Sequence, residues 1–224
     1  VVDLTHDDGG RVTGVVAEAD GRQFPIRATV VVNAAGVWSD EVRTLDEGVG
    51  PDGIRPAKGV HLTVPWSKVR NDIAVVIPIP KDKRSLFVVP WGALPDGTFE
   101  HTYVGTTDTD YEGDLADPRA TAEDVAYLLE QANRWLDPPL TQQDVVGVYC
   151  GLRPLVAAQL TAGDDGATAE LSREHVVLRP TPGLVMIAGG KYTTYRVMAK
   201  DAVDAVMAER TAFVAGDPAA CRTQ

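Results

Sequence analysis

The chain has 224 residues, 44% of them hydrophobic and 24% charged, and its 21 basic and 32 acidic side chains give a formal charge of −11. This length and composition suit one or two globular domains and exclude wholesale disorder. The acidic balance argues against nucleic acid as the main partner, and no run of about 18 apolar residues is present to form a transmembrane helix. Two cysteines, Cys150 and Cys221, and four histidines without zinc spacing predict neither a disulfide framework nor a metal site.

The first fifty residues predict a β-hairpin, a buried strand and a helix. Residues 11–17 are rich in valine, Asp20-Gly21 is a tight-turn dipeptide, and the chain returns through residues 24–32. The apolar run at the end of this return is typical of a strand buried on both faces in a parallel sheet. It is followed by three small residues that let the backbone approach a neighbour or ligand, Ala34, Ala35 and Gly36, and a helix is predicted at residues 39–45.

The middle of the chain predicts an antiparallel sheet covered by one helix. Thr121 and Asp124 form a capping box at the start of that helix, and Pro138-Pro139 ends it. The helix has one apolar face, made by Val125, Leu128, Leu129, Ala132 and Leu136. Short strand-like runs punctuated by proline and glycine occupy residues 61–64, 73–77, 85–89, 102–106 and 144–152.

The last third predicts a return to an α/β layer. Residues 162–169 have the composition of an exposed loop, and residues 174–178 and 183–188 predict strands. A helix is predicted at residues 193–209. A chain that leaves one domain, builds a second and then returns makes the first domain discontinuous.

The most informative stretch is Gly183–Arg196, a buried strand that runs into Gly189, Gly190 and Lys191 and then into a helix. The N–H groups at a helix start, with the helix dipole, suit an anion or an electron-rich carbonyl. Glycines remove side chains, so that a flat or phosphorylated ligand can approach, and Lys191 adds a full charge. An ordinary strand–turn–helix with a solvated lysine explains the same residues equally well.

Three further segments are candidates for chemistry. Arg153, beside a proline at a strand end, suits bidentate binding of phosphate or carboxylate, although a structural ion pair is more common for a lone arginine. His61 alternates with Val60 and Leu62 and points either into a cleft or to solvent; a histidine there is suited to general-base chemistry. The hydroxyl-rich and carboxylate-rich residues 105–110 either line a polar cleft or serve turn and cap chemistry.

Five segments in this order resemble the FAD-dependent glycerol-3-phosphate dehydrogenases. They are Asn33-Ala-Ala-Gly-Val-Trp38, Ile54-Arg-Pro-Ala-Lys-Gly-Val-His61, Val104-Gly-Thr-Thr-Asp-Thr-Asp-Tyr111, Tyr149-Cys-Gly-Leu-Arg-Pro-Leu155 and Gly189-Gly-Lys-Tyr-Thr-Thr-Tyr-Arg196. The resemblance implies oxidation of glycerol 3-phosphate to dihydroxyacetone phosphate with FAD as hydride acceptor. It also implies electron transfer to the quinone pool, and a cytoplasmic enzyme that sits peripherally on the inner face of the membrane.

The resemblance also implies a mixed α+β and α/β fold. Residues 1–50 and 179–212 would form a discontinuous FAD-binding domain of the glutathione-reductase and amino-acid-oxidase type. Residues 51–178 would form an inserted, mostly antiparallel-sheet substrate domain, and residues 213–224 a tail towards a cap domain. The family's N-terminal strand, Gly-x-Gly-x-x-Gly turn and helix, and its C-terminal cap domain, are expected to have no counterpart in this stretch, which alone is therefore expected to be an inactive fragment.

Carried over residue by residue, the resemblance implies roles for each candidate. His61, Arg153 and Lys191 would be catalytic, and Arg153 and Lys191 would bind the substrate. The residues beside the cofactor would be Ala34, Ala35, Gly36, Gly189, Gly190, Lys191, Tyr192 and Thr193. Three alternatives stay open: an oxidase that passes electrons to oxygen, an oxidase of the amino-acid type, and a truncated module without catalysis.

Overall fold

The computed structural model describes residues 1–48, 53–79, 85–157 and 174–213. The chain divides into two compact units, the first made of residues 1–56 and 154–224 and the second of residues 57–153. The expected functional-domain boundaries after residues 50 and 178 stay a prediction. The predicted loop at residues 162–169, Cys221 and all but the first residue of the expected tail lie outside the described residues.

A three-stranded antiparallel sheet opens the first unit. Its strands are β1 (Asp3–His6), β2 (Val12–Ala19) and β3 (Arg22–Arg27), in the order β1-β2-β3. Asp20 and Gly21 both have positive φ, 52° and 71°, as a tight hairpin turn between β2 and β3 requires. The predicted hairpin is therefore confirmed, and its second strand ends at Arg27.

A second sheet of the first unit contains parallel strands. Its order is β11 (His175–Leu178), β12 (Leu184–Gly189) and β4 (Val31–Asn33), with β12 parallel to β4 and antiparallel to β11. β12 is the central strand and is buried as predicted, but Val32 of β4 is 44% exposed. Within the described residues the expectation that β4 is buried on both faces is wrong, because Val32 is exposed on one face while Asn33 is buried on the other.

Two helices follow the two parallel strands of that sheet. Helix α1 (Ser39–Glu47) comes after β4 through the 3-10 turn Gly36–Trp38. The last helix of the described residues, α3 (Tyr195–Phe213), comes after β12 through the 3-10 turn Tyr192–Thr194. Both helices were predicted, and α3 extends past the predicted end at residue 209. None of the helices within the described residues has the length and apolar content that crossing a bilayer requires.

The second unit is built on one antiparallel sheet. Its strands are β5 (Ile54–Pro65), β6 (Val75–Pro78), β7 (Ser85–Ala93), β8 (Phe99–Gly105), β9 (Thr109–Asp110) and β10 (Gly147–Val156). The order is β10-β5-β8-β7-β6, and β9 pairs with β5. The antiparallel sheet is confirmed, and β5 begins at Ile54, earlier than predicted.

One face of this sheet forms the core of the second unit. Side chains alternate along a strand, so β5 directs Val60, Leu62 and Val64 to the same side. There they pack against helix α2 (Ala122–Asn133), whose Leu128 and Ala132 are buried. Thr121 and Asp124 form the predicted capping box at the start of α2. The residues between the core positions of β5, including Gly59 and His61, therefore lie on the opposite face.

A buried ion pair joins β5 to the start of α2. Nζ of Lys58 lies 2.6 Å from Oδ2 of Asp124, and both residues are buried. Burial opposes ionisation of the carboxyl, but hydrogen bonds from Lys58 and Thr121 outweigh burial and hold the pKa of Asp124 below its ordinary value. Lys58 therefore anchors the helix on the core side of the sheet.

Replacing Asp124 with asparagine is expected to lower the free energy of unfolding by about 3–5 kcal/mol at neutral pH, because Lys58 would keep a buried charge without its partner. A depressed folded pKa contributes stability above the unfolded value, near 3.8, and that stability is lost as pH falls through the folded value. Urea unfolding should therefore show a difference between the two chains that shrinks below pH 3.8.

Asp117→Asn is the matched control. Asp117 pairs with Arg119 on the surface, with the two side chains 59% and 81% exposed. Its loss should change the free energy of unfolding by about 0–1 kcal/mol. Equal effects of the two substitutions would contradict the assigned role of Asp124.

Candidate functional site

The open face of the sheet in the second unit carries an aromatic cavity. Its volume is about 350 Å³, and it is lined by His61, Phe87, Val89, Trp91, Tyr103 and Tyr149. Trp91 is 58% exposed and Tyr149 48% exposed, so the rings are accessible. These residues come from β5, β7, β8 and β10, which places the imidazole of His61 in an aromatic wall.

His61 is held between two neighbouring strands. It pairs with Gly105 of β8, where a Cβ atom would overlap the imidazole, so the glycine makes room for the ring. From β10, the ring of Tyr149 stacks on the imidazole with centroids 4.9 Å apart and planes 3° apart. The open question of where His61 points is thus settled: it lines the cavity.

The surroundings of His61 favour its neutral form. Burial lowers the pKa of the imidazole below 6.5, and the positive charge of Arg153 lowers it further. A neutral imidazole has a nitrogen lone pair that can accept a proton at neutral pH. His61 therefore has the protonation state that a general base needs.

Arg153 lies on the same face and is fixed in place. Its guanidinium packs over Gly59, where a Cβ atom would overlap it. Nη1 donates to the carbonyl of Thr107 at 3.2 Å and to Oδ1 of Asp108 at 3.3 Å, and Nη2 donates to Oγ1 of Thr106 at 3.0 Å. The side chain keeps 30% of its surface exposed. An arginine held this way presents an oriented cation at the surface of the unit.

The polar segment after β8 holds this arginine. Thr106 and Asp108 accept hydrogen bonds from Arg153, whereas the Thr107 hydroxyl accepts from the N–H of Val60 at 3.0 Å. The contacts of residues 106–108 are therefore structural, and that residues 105–110 line a polar cleft stays a prediction. Thr107 serves backbone structure, and its neighbours orient a charged side chain.

In the first unit, two candidate segments meet at one sheet edge. Met186 of β12 pairs with Asn33 of β4 in parallel register. Residues 34–36 and 190–193 therefore follow the carboxyl ends of adjacent parallel strands, where ligands of open α/β sheets bind. The amide of Asn33 donates to the carbonyl of Ser39 at 2.9 Å, and its Oδ1 accepts from the N–H of Ala35 at 3.2 Å. Asn33 thereby fixes the first of these turns.

Gly189 and Gly190 are required by packing within the first unit. Their φ angles are +73° and +80°, which disfavour any side chain. A Cβ at Gly189 would lie 2.6 Å from the carbonyl oxygen of Glu174 and 2.8 Å from Cγ2 of Val156. A Cβ at Gly190 would lie 2.6 Å from Sδ of Met198. Contact of these glycines with a ligand stays a prediction.

Gly189→Ala is expected to lower the free energy of unfolding by about 2–5 kcal/mol, from a left-handed backbone cost of about 1–2 and an overpacking cost of about 1–3 kcal/mol. Gly97→Ala is the matched control, because Gly97 has φ +85° but open space where the Cβ would lie. It should show the backbone cost alone in urea unfolding. Equal losses in the two variants would contradict the packing role of Gly189.

The segment from Lys191 to Arg196 is exposed along its whole length. Tyr192 is 91% exposed and stacks on Tyr195 with centroids 5.8 Å apart. The segment leads directly into α3, a helix of 19 residues. The first N–H groups of a helix have no intrahelical acceptors, and they lie at the positive end of the helix dipole. Both features therefore lie close to the Lys191 cation. This donor set fits the electron-rich edge of a flavin ring. The Gly-x-Gly-x-x-Gly spacing occurs at Gly48–Gly53, but there it follows helix α1 and precedes β5, whereas the turn that holds the diphosphate of a dinucleotide runs from a strand into a helix.

The structure therefore groups the candidate residues in two sets. His61 and Arg153 lie together in the second unit, and residues 34–36 lie with 189–193 in the first. That the two sets share one cavity stays a prediction. Sequence reasoning missed the aromatic wall, although the alternation of large rings at residues 87, 91, 103 and 149 with core residues was a visible signal.

Comparison with known proteins identifies the family. A family model described as FAD dependent oxidoreductase matches residues 1–200. The glycerol-3-phosphate dehydrogenase of Mycobacterium leprae (strain TN) is 47% identical over 211 residues, which cover 93% of this chain and 34% of the relative. The aerobic glycerol-3-phosphate dehydrogenase of Staphylococcus saprophyticus is 37% identical, covering 91% and 35%. The chain spans about a third of the length of these curated relatives.

Solved structures confirm the predicted fold class. The glycerol-3-phosphate dehydrogenase from Bacillus halodurans, solved in complex with FAD, is 34% identical with a TM-score of 0.74, and the match covers 97% of this chain and 39% of that chain. The L-alpha-glycerophosphate oxidase from Mycoplasma pneumoniae, solved with FAD bound, has a TM-score of 0.60 at 16% identity, covering 100% and 52%. The oxidase shares the fold, and its low identity supports nothing further.

Proposed function

The chain belongs to the FAD dependent oxidoreductase family, and from that premise we propose that it forms the substrate-binding part of an enzyme that oxidises sn-glycerol 3-phosphate to dihydroxyacetone phosphate. The observation that carries the proposal is that His61 lines an open cavity and is near enough to the fixed cation of Arg153 for that charge, together with burial, to lower the pKa of the imidazole. The substrate is taken from the relatives, which are glycerol-3-phosphate dehydrogenases.

His61 and Arg153 have different roles in the proposed reaction. Oxidation of a secondary alcohol removes the hydroxyl proton and transfers the hydride of the same carbon. Arginine is effectively always protonated and cannot take that proton, so His61 accepts it from the C2 hydroxyl. Arg153 contributes its charge and its planar fork to the bound phosphate substrate, and Lys191 contributes a second cation.

FAD, when bound, supplies the hydride acceptor. The residues of the first unit that we place beside it are Ala34, Ala35, Gly36, Gly189, Gly190, Lys191, Tyr192 and Thr193. Donors at the start of α3, together with Lys191, stabilise negative charge on an electron-rich ring. The exposure of Lys191–Arg196 supports this placement, because it leaves those donors accessible.

We further propose that the electrons pass on to the quinone pool, from an enzyme on the cytoplasmic side that contacts the inner face of the membrane peripherally. This step depends on the family resemblance. Oxygen is the competing acceptor. If turnover under air forms hydrogen peroxide in stoichiometric amount, the electron acceptor is oxygen and the quinone proposal is refuted.

The proposal is tested in a chimera, in which this chain replaces the matching third of the Mycobacterium leprae relative. The purified chimera should contain flavin, and anaerobic addition of sn-glycerol 3-phosphate should bleach the flavin absorbance. An unphosphorylated substrate, glycerol, is the control. Flavin that is bleached by dithionite but not by sn-glycerol 3-phosphate would refute the proposed substrate.

A further inference from the structure

We propose that Tyr149 is a positioning residue, which fixes the plane of the His61 imidazole by stacking on it. The inference rests on the proposed function, in which His61 accepts the substrate proton. Tyr149 lies in the second unit with His61, on β10, the strand next to β5. The stacking geometry, with centroids 4.9 Å apart and planes 3° apart, is nearly parallel.

His61 differs from two other histidines in how its ring is held. Nε2 of His6 lies 2.8 Å from Oδ1 of Asp46, and Nε2 of His175 lies 2.8 Å from Oδ2 of Asp201. A carboxylate partner of this kind commonly fixes an imidazole. Among the residues that the structure describes, no group hydrogen-bonds to a ring nitrogen of His61. Its orientation therefore depends on packing.

Two contacts supply that packing. Gly105 lies against the imidazole from β8, and Tyr149 covers one of its faces from β10. Tyr149 is itself supported by Tyr103, whose ring meets it edge-on with centroids 5.7 Å apart and planes at 84°. The Tyr103 ring in turn packs against Trp91 at 5.6 Å. A row of three aromatic rings thus supports the imidazole, while both ring nitrogens stay unengaged by the described residues.

This mode of support suits a proton acceptor. A carboxylate partner would favour the protonated imidazole, whereas a neutral ring does not. Burial raises the pKa of the Tyr149 phenol, and Tyr103 raises it further, so Tyr149 is uncharged at neutral pH. Three titratable or charged groups face His61, namely Tyr149 and Arg153 from β10 and Tyr103 from β8. The residues that β7 contributes to the cavity, Phe87, Val89 and Trp91, carry no charge. Asp108 is engaged by Arg153.

The test uses the 224-residue chain with labelled histidines in solution NMR, and His61→Gln assigns the signal. The wild-type chain should show contacts between the protons of the two rings and a ring-current shift at His61. Tyr149→Leu should abolish that shift and raise the His61 pKa, because water then reaches the imidazole. Tyr149→Phe keeps the stacked ring and should behave as wild type. Trp135→Leu, at a 60% exposed aromatic residue, is the control.

A wild-type chain without contacts between the two rings would overturn the inference before any variant is made. So would a Tyr149→Leu chain with an unchanged His61 signal and pKa. In the chimera, Tyr149→Leu should lower kcat by about 10-fold with little change in KM, and Tyr149→Phe should restore it. Ring contacts present in a chimera whose turnover does not depend on His61 would refute the assignment of His61 as proton acceptor, whereas the stacking itself would stand.

Discussion

Replacing His61 with alanine is expected to lower the kcat of the chimera for sn-glycerol 3-phosphate by about 10²- to 10⁴-fold, the usual contribution of a general base. KM should change little, because the proposed phosphate-binding charges of Arg153 and Lys191 remain. Steady-state kinetics with a soluble electron acceptor measures both constants. Flavin content should match that of the parent chimera, since His61 lies in the second unit.

The pH dependence distinguishes a base from a bystander. Burial and Arg153 hold the pKa of His61 below 6.5, so the acid limb of kcat/KM should lie below pH 6.5 and disappear in His61→Ala. His101→Ala is the matched control, because the His101 side chain is 41% exposed and its ion-pair contact among the described residues is with Glu100 alone, at 4.0 Å. Unchanged turnover with the same acid limb in His61→Ala would refute the base assignment.

The elements that could be predicted are those with a strong local pattern. Helix α2 is one, because its capping box and its apolar spacing lie within a few residues of each other. The start of β5 is the opposite case. Residues 54–60 contain proline, lysine and glycine, which weaken a strand pattern, yet the pairing of β5 with β9 and β10 holds them extended. That pairing joins segments far apart in the sequence.

The site residues likewise divide into features that a local sequence pattern predicts and features that depend on distant segments. Alternation with Val60 and Leu62 established that His61 lies opposite the core, but its contacts depend on strand order. Gly105 and Tyr149 reach the imidazole only because β8 and β10 flank β5. No local pattern could predict that neighbour relation, so the stacked tyrosine was missed. The alternatives for Arg153 likewise depend on distant segments, because its side chain both pairs with Asp108 and keeps 30% of its surface exposed.

Gly189 shows a limit of another kind. A glycine between strand and helix is consistent with ligand approach, with a positive φ and with close packing, since all three disfavour a side chain. The structure supports the second and third reasons, through the φ of +73° and the Glu174 carbonyl. Sequence alone cannot separate these reasons, because the same residue type satisfies each of them.

Replacing Arg153 with methionine is expected to lower kcat/KM of the chimera by about 10²-fold, because charged hydrogen bonds contribute about 1.5–3 kcal/mol each. Arg153→Lys keeps the charge but loses the planar fork, and should cost about 10-fold. The two variants should also differ in pH dependence. Arg153 lowers the pKa of His61, so methionine should move the acid limb to higher pH, whereas lysine should leave it nearly in place.

Two further variants, one at Asp108 and one at Arg119, supply the remaining controls. Asp108 would lose its cationic partner in Arg153→Met, so Asp108→Asn in the same chain should recover stability without recovering kcat/KM. Arg119→Met, at an 81% exposed arginine paired with Asp117, should leave the kinetics unchanged. Wild-type turnover and substrate affinity in Arg153→Lys would make Arg153 a structural residue. Binding of the substrate phosphate would then depend on other cations, and Lys191 would be the next residue to substitute.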